Sequence, residues 1–258
     1  MKLRLTQRRT MLLNARSKAE QELITALTPI FQKQWKKLEK ELQKPRLRKR
    51  MDRISVPEGQ DEALYKSQNI PKSDWDEFKR LLVAALILYL LKVAKDFGDV
   101  ENQIWTSRGL PPIPYDGQDI LAAYMTRTGR HYGDIAVKTE QDIEQIIAEW
   151  YRNDEPFGQL VKKAERYFKD YRIKNIADTE VGYILSQVTL TAMKEYKVDE
   201  WYWEHFGEDT PCDRPIIVEG MEYNGCKDLN GRTFKIGTLM PPEASHPSCH
   251  CLGTPKGI

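Results

Sequence analysis

All four cysteines of this chain lie in its last quarter, together with three of its four histidines. Cys212 and Cys226 come first. The segment Pro241-Pro242-Glu243-Ala244-Ser245-His246-Pro247-Ser248-Cys249-His250-Cys251 then nearly ends the sequence. Around these residues the texture is that of a small module. Trp201-Tyr202-Trp203 is strand-like, and Gly207, Pro211, Pro215, Gly220, Asn224, Gly225, Gly231 and Gly237 punctuate the residues after it. A module of about sixty residues buries too little apolar area to hold itself and often needs a metal or disulfides.

Thiolates and imidazoles at short spacing are the donors that bind Zn²⁺ tetrahedrally. The candidate ligands are Cys212, Cys226, His246, Cys249 and Cys251, with His250 in reserve. Donors from both ends of the module would staple those ends together. In an extended segment Cys249 and Cys251 point one way and His250 the other. A closed Cys₄ or Cys₃His shell leaves no open coordination position, so the expected cofactor is a structural zinc. Disulfides in a mature extracellular state, and reduced thiols packed without metal, are the alternatives. The N-terminus Met1-Lys2-Leu3-Arg4-Leu5 lacks the apolar core of a signal peptide. The expected compartment of synthesis is therefore a reducing cytosol, which weighs toward metal.

The rest of the chain reads as helical. From about Leu12 to Gln43 apolar residues recur at steps of three and four, with Pro29 expected to kink or split the helix. Residues 55–72 contain Pro57, Gly59 and Pro71 and read as a linker or loop. Ser73-Asp74-Trp75-Asp76 resembles a helix start with Ser73 as N-cap, and that helix is expected to run to about Ala94. Its eleven-residue apolar stretch Leu81–Leu91 is shorter than the roughly 20 residues of a membrane span. Burial by neighbouring helices or another subunit is the expectation. Gly109-Leu110-Pro111-Pro112-Ile113-Pro114 reads as an extended connector. Further helices are expected at Gly117–Thr128, Thr139–Asn153, Phe157–Lys169 and Asn175–Lys197. The fold class is thus mainly α, with a small C-terminal α+β or irregular Cys/His-containing module. The regions are a basic helical arm (1–54), a helical middle with Pro-containing linkers (55–170) and the C-terminal module (171–258).

The net charge of +2 is unevenly spread. Residues 1–50 hold fifteen Lys/Arg and four Asp/Glu, a net of +11, so the remainder carries −9. Lys36, Lys37, Lys40, Lys44, Arg46, Arg48, Lys49 and Arg50 are candidates for contact with an anionic partner, nucleic acid or an acidic protein surface. A solvated helix face accounts for the same charges. Trp201, Tyr202, Trp203 and Phe206 have the chemistry to stack on bases, but such aromatics in a small module are more often its core. No phosphate-binding loop or nucleophile elbow is present.

The run Ile176-Ala177-Asp178-Thr179-Glu180, then Trp201 or Trp203, then Asp209-Thr210-Pro211-Cys212 resembles the C-terminal domain of phage head morphogenesis proteins. These are the Mu F-like minor head (minor capsid) proteins of tailed bacteriophages. Cys226-Lys227-Asp228-Leu229-Asn230-Gly231-Arg232-Thr233-Phe234 matches a second element of the pattern, and Pro241-Pro242 with His246-Pro247-Ser248-Cys249-His250-Cys251 a third. The likeness covers about a third of the chain, residues 170–254. Two features depart from it: thirteen residues separate Cys212 from Cys226 where the family has two, and the Pro-Pro to His spacing is longer by two. The resemblance implies a non-enzymatic virion protein, made in the host cytoplasm and placed inside the head or at the portal vertex. It would act in head assembly, genome packaging or DNA delivery. Its implied partners are the portal protein and the major capsid protein, with non-specific contact to packaged double-stranded DNA. The alternative is a metal-dependent nuclease or toxin-like effector built on the Cys/His module, with His246 in its site.

Overall fold

A computed structural model describes residues 5–42, 47–69, 75–129, 132–205, 215–241 and 249–256. The chain is mainly helical, with its strands confined to the C-terminal part. The helices are α1 (Leu5–Leu42), α2 (Leu47–Asp52), α3 (Glu62–Gln68), α4 (Trp75–Thr106), α5 (Gly117–Thr128), α6 (Asp134–Asn153), α7 (Phe157–Glu165) and α8 (Asp170–Glu195). Strands β1 (Glu200–Glu204), β2 (Ile216–Val218), β3 (Met221–Tyr223), β4 (Thr233–Lys235) and β5 (Leu252–Pro255) follow, with the one-turn α9 (Cys226–Leu229) between β3 and β4. No helix is long and apolar enough to cross a membrane among the described residues.

Local chemistry explains several boundaries. The Asp116 side chain accepts from Gln118 N at 2.7 Å and starts α5, and Gly129 in the left-handed region ends it. Other boundaries differ from the sequence reading. Pro29 lies inside a continuous α1 and does not split it. The stretch 55–72 holds α3, because Asp61 accepts from Leu64 N at 2.9 Å and caps it. Helix α4 continues past Ala94 to Thr106, since Val93, Phe97, Ile104 and Trp105 prolong its buried stripe. Its apolar stretch is not covered all round: Ile87 and Leu88 are 40% and 68% exposed. Ser73 lies outside the described residues.

Packing groups the chain into two compact units, each assembled from separated stretches. The consecutive regions 1–54, 55–170 and 171–258 therefore do not coincide with them. One unit comprises residues 24–87 and 131–173. Its core is aromatic: Phe31 meets Phe78 edge-on at 5.2 Å, and Trp75, Trp35 and Phe168 pack around them.

The other unit comprises residues 1–23, 88–130 and 174–258. Helix α8 is its centre, with every residue from Ile176 to Leu190 buried. Two buried polar groups on α8 have partners: Tyr124 Oη donates to Glu180 at 2.7 Å, and Thr189 Oγ1 to Glu101 at 2.7 Å. The three-stranded antiparallel sheet of this unit has the order β4-β1-β5. Alternation along β1 turns Trp201 and Trp203 to the interior, where both stack near Phe234. They are core, as the composition of a small module implies. Phe206 lies outside the described residues.

Candidate metal centre

The centre forms where the sheet ends. Strand β1 pairs antiparallel with β5, and Glu204 stands opposite Leu252. One step further along the same ladder puts His205 beside Cys251. His205 Nδ1 lies 3.3 Å from Cys251 Sγ. The His205 backbone is held from the other side, its N–H donating to Asn230 Oδ1 at 3.0 Å. Asn230 belongs to the turn after α9, and Cys226 opens that helix. Gly225, at φ 103°, makes the sharp entry that aims Cys226 inward. Cys226 Sγ lies 3.7 Å from Cys249 Sγ.

The donor atoms of His205, Cys226 and Cys251 all lie within 4.8 Å of one another, so this group can hold a metal ion. Cys249 is not a member of that group, but its sulfur lies beside that of Cys226. Two of the spacings, 3.3 Å for His205–Cys251 and 3.7 Å for Cys226–Cys249, are near the edges of a tetrahedral site. Two sulfurs about 2.3 Å from one zinc stand about 3.8 Å apart at the tetrahedral angle, and a sulfur–nitrogen edge is about 3.6 Å. The 3.7 Å between Cys226 and Cys249 far exceeds the roughly 2.05 Å of a disulfide, and all three described cysteines are free thiols.

Burial sharpens the chemistry. Cys226, Cys249 and Cys251 are 0%, 1% and 3% exposed. Contact with Cys249 and Cys251, together with burial, pushes the Cys226 thiol far above the ordinary range. Cys226 draws the Cys251 thiol down, but Cys249 and burial outweigh it and push Cys251 up to about 12. Crowded sulfurs in a dry site resist becoming thiolates together unless a cation compensates them. His205 Nε2 is buried with no hydrogen-bond partner among the described residues. His250 faces outward between its two cysteine neighbours, as alternation in an extended segment requires.

The sequence-predicted ligands are thus only partly brought together. Cys226, Cys249 and Cys251 converge, while Cys212 and His246 lie outside the described residues. His205 is the residue that sequence reasoning missed. Its signal was faint: it is the first residue past a strand whose partner strand begins just after Cys251.

The basic candidates fall on α1 and α2 within residues 24–87. Lys37 binds Glu77, and Lys33 reaches the same carboxylate at 2.8 Å. Lys33 and then Lys37 hold the Glu77 carboxyl down to about 2. Arg48 pairs with Asp154, donates to Tyr151 O at 3.3 Å and lies 5.3 Å over the Trp150 ring. Arg50 lies 3.8 Å from Glu41. These three charges are engaged locally. Lys36, Lys40 and Lys49 stand exposed, without an ion pair among the described residues. Lys44 and Arg46 lie outside them.

Comparison with family models, with curated proteins and with solved structures finds no match for this chain.

Proposed function

We propose that this chain is a non-enzymatic structural protein whose C-terminal module is stapled by one zinc ion, and that it serves as a minor head protein of a tailed phage. One observation carries the staple: the donor atoms of His205, Cys226 and Cys251 lie within 4.8 Å of one another, and Cys249 Sγ stands 3.7 Å from Cys226 Sγ, a set we read as four ligands of one ion. Four protein ligands leave no position for substrate or water, so such a zinc contributes folding free energy and no chemistry. The donors join the end of β1, the start of α9 and the lead into β5.

The head assignment rests on the order of motifs in residues 170–254, which resembles that of the minor head proteins. The portal protein or the major capsid protein is the proposed docking partner, in the head interior or at the portal vertex. Packaged double-stranded DNA is the proposed non-specific partner of Lys36, Lys40 and Lys49, whose ammonium groups suit phosphate contact.

Two experiments test these parts separately. Cobalt(II) added to reduced, metal-free protein is expected to give the intense thiolate charge-transfer and tetrahedral d–d bands of a Cys₃His site. A weak octahedral spectrum contradicts the staple. Quantitative mass spectrometry of purified particles is expected to find the chain in a few copies per head. A chain confined to the host cytosol contradicts the head assignment.

A further inference from the structure

The two strands that carry the metal ligands also carry a second, buried polar assembly on their opposite face. Pairing of Trp203 with Gly253 and of Glu204 with Leu252 sorts the side chains. Trp201, Trp203, His205, Cys251 and Gly253 share one face of the β1–β5 ladder, and Tyr202, Glu204 and Thr254 share the other. On that second face Thr254 Oγ1 donates to Glu204 Oε2 at 2.6 Å and accepts from Arg8 Nη1 at 3.2 Å. Arg8 Nη2 donates to Glu101 Oε1 at 3.0 Å. Glu101 also accepts from Trp105 Nε1 at 2.9 Å and from Thr189 Oγ1 at 2.7 Å. Arg8 and Glu101 are essentially inaccessible to water.

From this placement, and resting on the zinc reading of the site, we infer that metal loading controls the docking of the N-terminal segment of α1: the ion pins one face of the β1–β5 ladder, and the ladder presents Thr254 to Arg8 on the other. The connection is short. Cys251 directly precedes β5 and lies three residues before Thr254, and His205 directly follows Glu204. β5 is an edge strand, bonded to β1 alone within its sheet. Its register therefore depends on the few β1–β5 bonds and on whatever fixes its entry point at Cys251. Without the ion that entry is free to fray, and Thr254 shifts from Arg8. Arg8 then keeps Glu101 but has a buried Nη1 without its acceptor, which weakens the hold on its helix segment. The chain thus carries a latch that closes its first turns only when the metal is in place.

Such coupling is reciprocal, so breaking the latch must weaken the metal site by the same factor. Hydrogen–deuterium exchange on the full chain, zinc-loaded and chelator-stripped, reads it directly. Stripping is expected to raise exchange together in residues 249–255 and 7–13. If residues 249–255 open while 7–13 stay protected, the latch is refuted. Zn²⁺ affinity, measured by competition with a chromophoric chelator, is expected to fall about fivefold or more in both Arg8→Gln and Thr254→Val. Thr254→Val preserves side-chain shape and keeps the test open if Arg8→Gln does not fold. Unchanged Zn²⁺ affinity in a folded variant overturns the latch and leaves the zinc staple standing. A wild-type chain that takes up no Zn²⁺ overturns both.

Discussion

His205 bears on this centre more than its place in the sequence shows. Its nitrogen lies 3.3 Å from Cys251 Sγ, in a group of donors otherwise composed of thiols. Removing it is therefore expected to release zinc as severely as removing a cysteine. His205→Ala, Cys226→Ser and Cys251→Ser should each lose bound metal in a chelator-competition assay, with a lower melting temperature. Structural zinc contributes on the order of 10 kcal/mol of folding free energy, so losing one ligand exceeds what so small a module can absorb. If His205→Ala keeps wild-type zinc affinity, the histidine is not a ligand. A different residue contributes to the acid behaviour of the unit of residues 24–87 and 131–173. Lys33 and Lys37 depress the Glu77 carboxyl from 4.5 to about 2. A depressed carboxylate stabilises the fold above its unfolded value, and this contribution is lost as pH falls through the folded value. The melting temperatures of wild type and Glu77→Gln are accordingly expected to differ at neutral pH and to converge as pH falls from 4.5 to about 2. A difference independent of pH would mean the ion pairs contribute nothing.

At the scale of elements, legibility followed how local the cause was. Helix α5 was readable to the residue because Asp116 and Gly129, its caps, are its neighbours. Helix α3 was hidden because its few residues sit among Pro57, Gly59 and Pro71, and only the Asp61 cap makes it a helix. The expected end of α4 near Ala94 followed the close of its apolar stretch, whereas the helix runs on to Thr106 and carries Glu101 in its buried stripe. Glu101 is the acceptor for Arg8, Trp105 and Thr189, partners from up to 93 residues away. Glu101→Ala leaves Arg8 buried without its counter-charge and is expected to cost about 3–5 kcal/mol in urea denaturation. A loss below about 1 kcal/mol would show that water reaches the site. The centre behaved the same way. Cys249 and Cys251 were legible from their own spacing, whereas His205 depends on the β1–β5 register, a property of pairing between strands far apart in sequence. Close packing tests that register independently. A Cβ on Gly253 would lie 2.0 Å from Met240 Cε and 3.3 Å from Trp201 Cε3. Gly253→Ala is expected to cost about 1–3 kcal/mol, moderated by how far the flexible methionine yields.

The whole molecule divides its charge and its chemistry. Of the basic candidates described, Lys37, Arg48 and Arg50 are taken up by Glu77, Asp154 and Glu41. That leaves Lys36, Lys40 and Lys49, a weaker anion-binding set than the +11 of residues 1–50 promised. If these three meet DNA phosphates, replacing them with alanine reduces the salt slope of duplex binding by about 3. A slope unchanged by the substitutions assigns the charges to solvation. The central claim lies at the other end of the chain, where thiols and imidazole that are scattered in sequence converge in a dry pocket. Metal content measured by mass spectrometry on protein purified without chelators tests it most directly. The staple predicts one zinc per chain, lost together with the folded C-terminal module when a strong chelator is added. Metal-free protein, with melting indifferent to chelator and to added Zn²⁺, would contradict it.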